Sequence, residues 1–139
     1  MESIKTFFAA LFLSKILLLT PQPIHIEAKW TEVRLPETIS AVTRGAVLFV
    51  DVTNVPGVTR DFAALEKMFP PGMIEAELVE KSGTSVMLRS SGGVALSKNG
   101  VQLLVYNSST PVGVEFTRLR IRSSRDLDDV QLRWQNSGK

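Results

Sequence analysis

The sequence predicts a mainly β protein: one antiparallel β domain that contains a single short helix and follows a hydrophobic N-terminal segment. Three observations lead to this class. Apolar residues recur at every second position in most segments after Trp30, which is the period of a strand. Turn-forming residues separate these segments at intervals of about 8–12 residues. The residues before Pro21, in contrast, are predominantly apolar.

The composition fits one globular domain and excludes several kinds of chemistry. The chain has 139 residues, of which 44% are hydrophobic and 22% are charged, as in ordinary folded proteins. It has no cysteine, which excludes disulfides, zinc–thiolate sites, iron–sulfur clusters and cysteine nucleophiles. Its 16 basic and 14 acidic side chains leave a net charge of only +2, so we predict no nucleic-acid partner.

Residues 1–28 are predicted to direct export, as a signal peptide or signal anchor followed by a short linker. Lys5 supplies the positive charge that precedes such a segment, and Pro21 and Pro23 end any helix. The apolar residues of this predicted membrane helix are Phe7, Phe8, Leu11, Phe12, Leu13, Ile16, Leu17, Leu18 and Leu19.

The sequence leaves open whether this segment is cleaved. Ala28 is small enough to precede a cleavage site, but Ile26, two residues before it, is bulky. An uncleaved anchor needs about 17–25 apolar residues, a length that the segment barely reaches, and Lys15 lies within it. Because of Lys15, an N-terminal helix buried against the domain is a third interpretation.

Residues 29–139 are predicted to form a single β-sandwich domain. A period of two marks the segments 74–78, 101–106, 118–122 and 130–135, where apolar residues occupy every second position. Residues 46–52 are apolar on both faces, as in a central strand. Weaker strand candidates are residues 30–35, 38–42 and 84–89. About seven or eight strands at this spacing are typical of an antiparallel sandwich, and we expect an immunoglobulin-like or similar one.

The residues between these segments predict turns and one helix. Turn formers cluster at 81–83, 90–93 and 107–111, and Asn99-Gly100 is typical of a hairpin. The apolar residues Phe62, Leu65, Met68 and Phe69 follow helical spacing. Thr59 can cap the start of this segment and Pro70 must end it, so we expect a short helix near 60–69.

Catalytic and metal chemistry find little support. His25 is the only histidine and lies beside two prolines, and no Gly-x-Ser-x-Gly motif accompanies it. A Ser–His–Asp triad would have to use His25, and a histidine-ligated metal site usually needs two or three histidines. We therefore predict no enzyme activity, no metal ion and no other cofactor.

Two groups of carboxylates keep an alternative open, namely a hydrolase with a carboxylate-based site. Asp51 interrupts an otherwise apolar strand, and we interpret it as a structural carboxylate paired with a group such as an arginine. Asp126, Asp128 and Asp129 follow the 118–122 strand, where a solvated hairpin loop is the favoured interpretation. Their segment lacks the glycine and the distal glutamate of an EF-hand loop.

The strongest candidate binding surface consists of arginines. Arg118, Arg120 and Arg122 alternate along one strand and therefore lie on one face, and Arg133 is expected opposite them on the following strand. Such a face could bind lipid headgroups, acidic glycans or an acidic protein. The alternative is an ordinary solvated face, balanced by nearby acids. The acids expected to balance it are Glu115, Asp126, Asp128 and Asp129.

These observations predict an exported, non-catalytic binding or assembly module at the cell envelope. It would be periplasmic or extracytoplasmic, either free or anchored to the inner membrane through its N-terminal segment. Its expected partner is an envelope protein or an anionic envelope component, contacted through the arginine face or an exposed sheet edge. A structural subunit that assembles by β-strand addition is a further alternative.

Overall fold

The computed structural model describes residues 16–42, 46–98 and 100–135. Ten strands and one helix, α1 (Phe62–Met68), follow one another along these residues. The strands are β1 (Ile16–Leu18), β2 (Ile24–Ile26), β3 (Thr31–Val33), β4 (Ile39–Ser40), β5 (Val47–Asp51), β6 (Ile74–Glu80), β7 (Ser85–Ser97), β8 (Gly100–Tyr106), β9 (Glu115–Ser123) and β10 (Leu127–Gln135).

All ten strands belong to one curled sheet. Its order is β1-β10-β5-β8-β7-β6-β9-β3, with β2 also paired to β10 and β4 to β9. Every named strand pair is antiparallel. The backbone N–H of Ser123 donates to the carbonyl of Glu27, so the sheet curls until its two ends approach each other. The mainly β class and the antiparallel pairing are confirmed, whereas the two facing sheets of a sandwich are not.

The core fills the inside of this curl, as the alternating pattern requires. Leu119 and Ile121 of β9 are buried, and Leu132 and Trp134 of β10 are buried with them. The Trp134 indole N–H donates to the carbonyl of Ser40 at 3.0 Å, which satisfies the one polar group of that ring. Burying each large side chain of this kind contributes about 1.5–3 kcal/mol, which stabilises a chain without disulfides.

The predicted central strand is confirmed, but one predicted turn is wrong. β5 pairs with β10 on one side and with β8 on the other. Residues 90–93, predicted as a turn, instead lie within the continuous 13-residue strand β7. The glycines allow a bulge there rather than a reversal, since Gly92 has a φ of 87° and the pairing register with β8 shifts between Ser90 and Val94. Ser97 pairs with Gly100 where a hairpin was predicted.

The N-terminal segment differs from the prediction wherever it is described. Ile16–Leu18 is a strand paired with β10 and not part of a helix, and Leu19 after it is buried. A short apolar run suits a strand as well as a helix, and here it pairs with the backbone of β10, next to the buried Trp134. The predicted membrane residues Phe7, Phe8, Leu11, Phe12 and Leu13 lie outside the described residues. Within the described ranges, no helix is both long and apolar enough to span a membrane.

The predicted helix is confirmed, with a different cap. α1 begins after Asp61, whose carboxylate accepts a hydrogen bond from the N–H of Ala63 at 3.2 Å. Thr59 was the predicted cap, but it lies two residues too early to accept from the first turn. Leu65 and Phe69 face the core, and the helix ends before Pro70, which could not continue its hydrogen bonds.

Candidate functional site

The β9 arginine face, defined as Arg118, Arg120 and Arg122, lies on the outer side of the sheet, as its spacing predicts. The strands on either side of β9 are β3 and β6, and both bring glutamates beside it. Arg118 contacts Glu32 of β3 at 3.0 Å, and Arg120 contacts Glu77 of β6 at 2.5 Å. Each arginine of the face is therefore held by a carboxylate of a neighbouring strand.

The third arginine of this face shares its carboxylate. Arg122 donates two hydrogen bonds to one oxygen of Glu75, at 2.9 and 2.8 Å, while Arg89 of β7 contacts the other oxygen at 3.0 Å. Hydrogen bonding from Arg122 is the main cause that lowers the pKa of Glu75, and the charge of Arg89 adds to it. Glu75 therefore stays ionised between two guanidinium groups.

A tryptophan also rests on the β9 arginine face. The guanidinium carbons of Arg120 and Arg122 lie 4.6 and 4.3 Å from the centre of the Trp30 ring. Both distances fall within the range of cation–π attraction, about 6 Å. Trp30 precedes β3, so this contact fastens the start of β3 to β9.

The carboxylates that balance the face are not those expected from the sequence. Glu115, Asp126, Asp128 and Asp129 were expected because they are close along the chain. The actual partners are Glu32, Glu75 and Glu77. Glu75 and Glu77 alternate along β6 with the same period as the arginines along β9, a signal that becomes useful only when β6 and β9 are known to pair.

Arg133 does not join the arginine face, contrary to the prediction. β10 neighbours β1, β2 and β5, whereas β9 neighbours β3, β4 and β6, so consecutive strands are not paired here. The prediction failed because it assumed a β9–β10 hairpin. Arg133 instead contacts Asp51 of β5 at 2.7 Å, which confirms the paired carboxylate predicted at that position.

Asp51, Thr53, Gly100 and Arg133 form a compact group that we name the Asp51 corner. One oxygen of Asp51 accepts from the backbone N–H of Thr53 at 2.9 Å and from its hydroxyl at 2.6 Å. The Thr53 hydroxyl oxygen in turn accepts from the N–H of Val101. Burial alone would raise the pKa of Asp51, but the hydrogen bonds from Thr53 and Arg133 outweigh it and lower that pKa.

His25, expected in a linker, lies in β2 and has a carboxylate partner. Its Nδ1 is 2.5 Å from an oxygen of Asp128 in β10, and both side chains are exposed. The hydrogen bond to Asp128 is the main cause that raises the pKa of His25 above its ordinary value. Asp128 therefore belongs to a strand contact rather than to a solvated hairpin loop. In the described part of the chain, no three His, Asp or Glu side chains converge as metal ligands would.

Within residues 16–42, 46–98 and 100–135, the sheet ends at β1. Among the described residues, β1 pairs only with β10, and Ile16 and Leu18 expose 55% and 41% of their surface. Large apolar side chains beside an unpaired strand edge are a recognised route to strand addition. No protein-family model, curated protein or solved structure matches the chain.

Proposed function

We propose that the protein is an exported, non-catalytic binding and assembly module of the cell envelope. It assembles by pairing the β1 edge of one copy with the β1 edge of a second copy. The observation that carries this proposal is the apolar edge of β1, which has no partner strand other than β10 among the described residues. The location, periplasmic or extracytoplasmic, is proposed from the apolar N-terminal sequence. Assembly through β1 requires that β1 stays in the mature chain, because cleavage after Ala28 would remove it.

The backbone of β1 supports the proposal first. The N–H of Leu19 donates to the carbonyl of Leu132 at 2.9 Å, so this pair is hydrogen-bonded. Hydrogen-bonded and non-hydrogen-bonded pairs alternate in an antiparallel ladder. By the register Leu17–Trp134, the peptide groups of Leu17 face β10 and those of Ile16 and Leu18 face outward. The outward groups are those that an added strand would use.

The side chains of β1 suit a second copy of the same strand. Ile16, Leu17 and Leu18 are uncharged, so two antiparallel copies oppose no like charges. A two-fold axis at Leu17 would place Ile16 of one copy opposite Leu18 of the other, which joins the outward peptide groups in reciprocal pairs. Arg133, the neighbour of Leu18 on β10, is already neutralised by Asp51 and does not repel the second copy.

The β9 arginine face supports assembly at β1 by elimination, because its own arginines already have partners. Its three arginines are already balanced by the three glutamates 32, 75 and 77, which leaves little net charge there for an anionic partner. The carboxylate alternative at Asp51 meets a similar obstacle, because Thr53 and Arg133 engage its two oxygens. We therefore place assembly at β1 and no hydrolase site at Asp51.

The test measures the mass of the full chain in solution against concentration, by sedimentation. We expect a monomer–dimer equilibrium that Leu18→Lys abolishes, because a charged side chain guards an edge. Val112→Lys is the matched control, since Val112 is equally apolar and 50% exposed but lies outside β1. Leu18→Pro removes the outward N–H and keeps an apolar side chain, so it should weaken the dimer as well.

Three results would overturn the proposal. A chain that stays monomeric at every concentration has no β1 dimer. Equal loss of association in Leu18→Lys and Val112→Lys would point to general apolar contact. A Leu18→Pro variant that is folded and dimerises like the parent chain would show that backbone pairing at β1 is not involved.

A further inference from the structure

A cleft of about 400 Å³ opens on the surface beside the bulge of β7. Its walls come from β7, from the end of β8 and from the loop after β8. The residues that matter here are Met87, Arg89, Ser91, Tyr106, Asn107 and Ser108. Clefts that hold small molecules begin at about 300 Å³, so this one has room for a ligand the size of a monosaccharide.

The bulge of β7 determines where this cleft lies. Ser90 pairs with Val105 and Val94 with Leu103, so three residues of β7 face the single Leu104 of β8. The extra residues bend the strand away from its neighbour and re-aim its side chains. The carbonyl and hydroxyl oxygens of Ser90 accept from the N–H groups of Gly72 and Ile74, at 2.7 and 3.1 Å. These bonds fix the bend to the start of β6.

Arg89 is the more exposed of two arginines that share one glutamate in the group of ion pairs around β9. The ion pairs around β9 join the four arginines 89, 118, 120 and 122 to the three glutamates 32, 75 and 77. The excess arises at Glu75, which serves both Arg89 and Arg122. Of these two, Arg89 is the more exposed, at 67% of its side chain, and it lines the cleft. The cleft wall contains no carboxylate among its described residues.

The remaining walls offer hydrogen-bond donors and an aromatic ring. Arg89 contacts Glu75 through Nε at 3.0 Å, and the two terminal nitrogens of a guanidinium group are further hydrogen-bond donors. Tyr106 pairs in register with Arg89 and is 40% exposed, and both side chains line the cleft. The hydroxyls of Ser91 and Ser108 lie in the same wall. These groups suit an anionic, hydroxylated ligand.

Asn107 holds the far wall in place. It begins the segment Asn107-Ser108-Ser109, which matches the Asn-x-Ser/Thr acceptor sequence of N-glycosylation. Its side-chain N–H donates to the carbonyl of Met87 at 2.9 Å, and its side-chain oxygen accepts from the N–H of Ser109 at 2.8 Å. The amide that glycosylation would modify is therefore already used to join the loop to β7. The tripeptide is a structural feature of the cleft.

We propose that this cleft binds an acidic saccharide. The carboxylate or phosphate of the sugar would accept a forked pair of hydrogen bonds from Arg89, a geometry that lysine cannot provide. The sugar ring would lie against Tyr106, and the serine hydroxyls would contact its hydroxyl groups. This proposal goes beyond assembly at β1 and does not depend on it, because the cleft contains no residue of β1.

The test titrates the full-length protein, labelled for NMR, with four probes: glucuronate, glucose 6-phosphate, glucose and inorganic phosphate. We expect the two acidic sugars to shift the backbone signals of residues 87–91 and 106–108 and to bind at least about tenfold more tightly than glucose, the size of one charged hydrogen-bond pair. Glucose binding as tightly as glucuronate would overturn the role of Arg89. Inorganic phosphate binding as tightly as glucose 6-phosphate would show that the sugar ring contributes nothing and would overturn the proposal of a saccharide ligand.

Two matched variants then test which positive charge binds the acidic sugar. Arg89→Gln should weaken glucuronate binding by about tenfold or more, because it removes the forked donor. Arg118→Gln removes one equally exposed positive charge, but its partner is Glu32 and it does not line the cleft, so it should change binding less than about twofold. Equal losses in both variants would show a non-specific effect of net charge and overturn the proposal. Tyr106→Ala should weaken the acidic sugars and leave inorganic phosphate unchanged.

Discussion

The Asp51 corner and the β9 arginine face use the same chemistry in two different environments. In the corner, Asp51 and Arg133 expose 13% and 28% of their side chains. On the face, Glu32 and Arg118 expose 52% and 62%. Both contacts are short, yet water screens the second pair far more than the first.

The comparison teaches that exposure and additional partners decide what an arginine pair contributes. Asp51 is also bonded to Thr53, which packs against Gly100, so the corner couples β5, β8 and β10. Arg118 and Glu32 join only β9 to β3 and could be replaced by water. The corner should therefore dominate stability, while the face should govern solubility and the charge presented to ligands.

The largest expected effect in the corner comes from Gly100→Ala. Gly100 has a φ of 138°, and an added Cβ would lie 2.2 Å from the Thr53 hydroxyl oxygen that holds Asp51. Backbone strain and this clash together should cost about 3 kcal/mol of unfolding free energy, measured by urea denaturation. Gly83→Ala is the control, because its φ is 98° but nothing lies within 4 Å, and it should cost about 1 kcal/mol. Equal costs would mean that the corner is not tightly packed.

The second prediction compares the two arginine pairs directly. Arg133→Gln leaves the mostly buried Asp51 carboxylate without its cation and should lower the unfolding free energy by about 2 kcal/mol. Arg118→Gln should lower it by about 0.5 kcal/mol or less. The measurement is urea denaturation of both variants and the parent chain at low and high salt. A larger loss for Arg118→Gln than for Arg133→Gln would reverse the comparison.

The smallest effect concerns an exposed pair, His25 and Asp128. Because the pKa of His25 is raised in the folded chain, its imidazolium contributes stability that is fully present below the ordinary value of 6.5. That stability is lost as pH rises through the higher folded pKa. Since His25 is the only histidine, one NMR titration reports it. Asp128→Asn should lower the midpoint, and Asp129→Asn, the control, should leave it nearly unchanged; a midpoint that neither variant moves would contradict the contact.

Much of the fold could be predicted because strand alternation and turn chemistry are local properties. The segments later found as β5, β6, β8, β9 and β10 were all predicted from their residues, and so was α1. Asp51 was assigned a structural partner for the same local reason, since a carboxylate within an apolar strand needs one. The Ser90–Gly93 segment misled the prediction because glycine permits both a turn and a bulge.

The candidate sites were harder to predict because they depend on which strands are neighbours. The arginines of β9 were found from their spacing, but their partners come from β3 and β6, which lie 43 to 86 residues away along the chain. The cleft at the β7 bulge joins Arg89 to Tyr106 through a register that the sequence does not display.

By itself, the sequence determined the class of fold, the inward and outward faces of the alternating strands β6, β9 and β10, and the absence of thiol chemistry, because each of these follows from residue type and local period. Only the tertiary structure decided that Ile16–Leu18 is an edge strand and that Arg133 belongs to Asp51 rather than to the β9 arginine face. It also decided that Arg89 and Arg122 share Glu75 and that Arg89 is the more exposed of the two. The physical reason is that strand order is set by burial and backbone pairing over the whole chain, and strand order determines which charges meet.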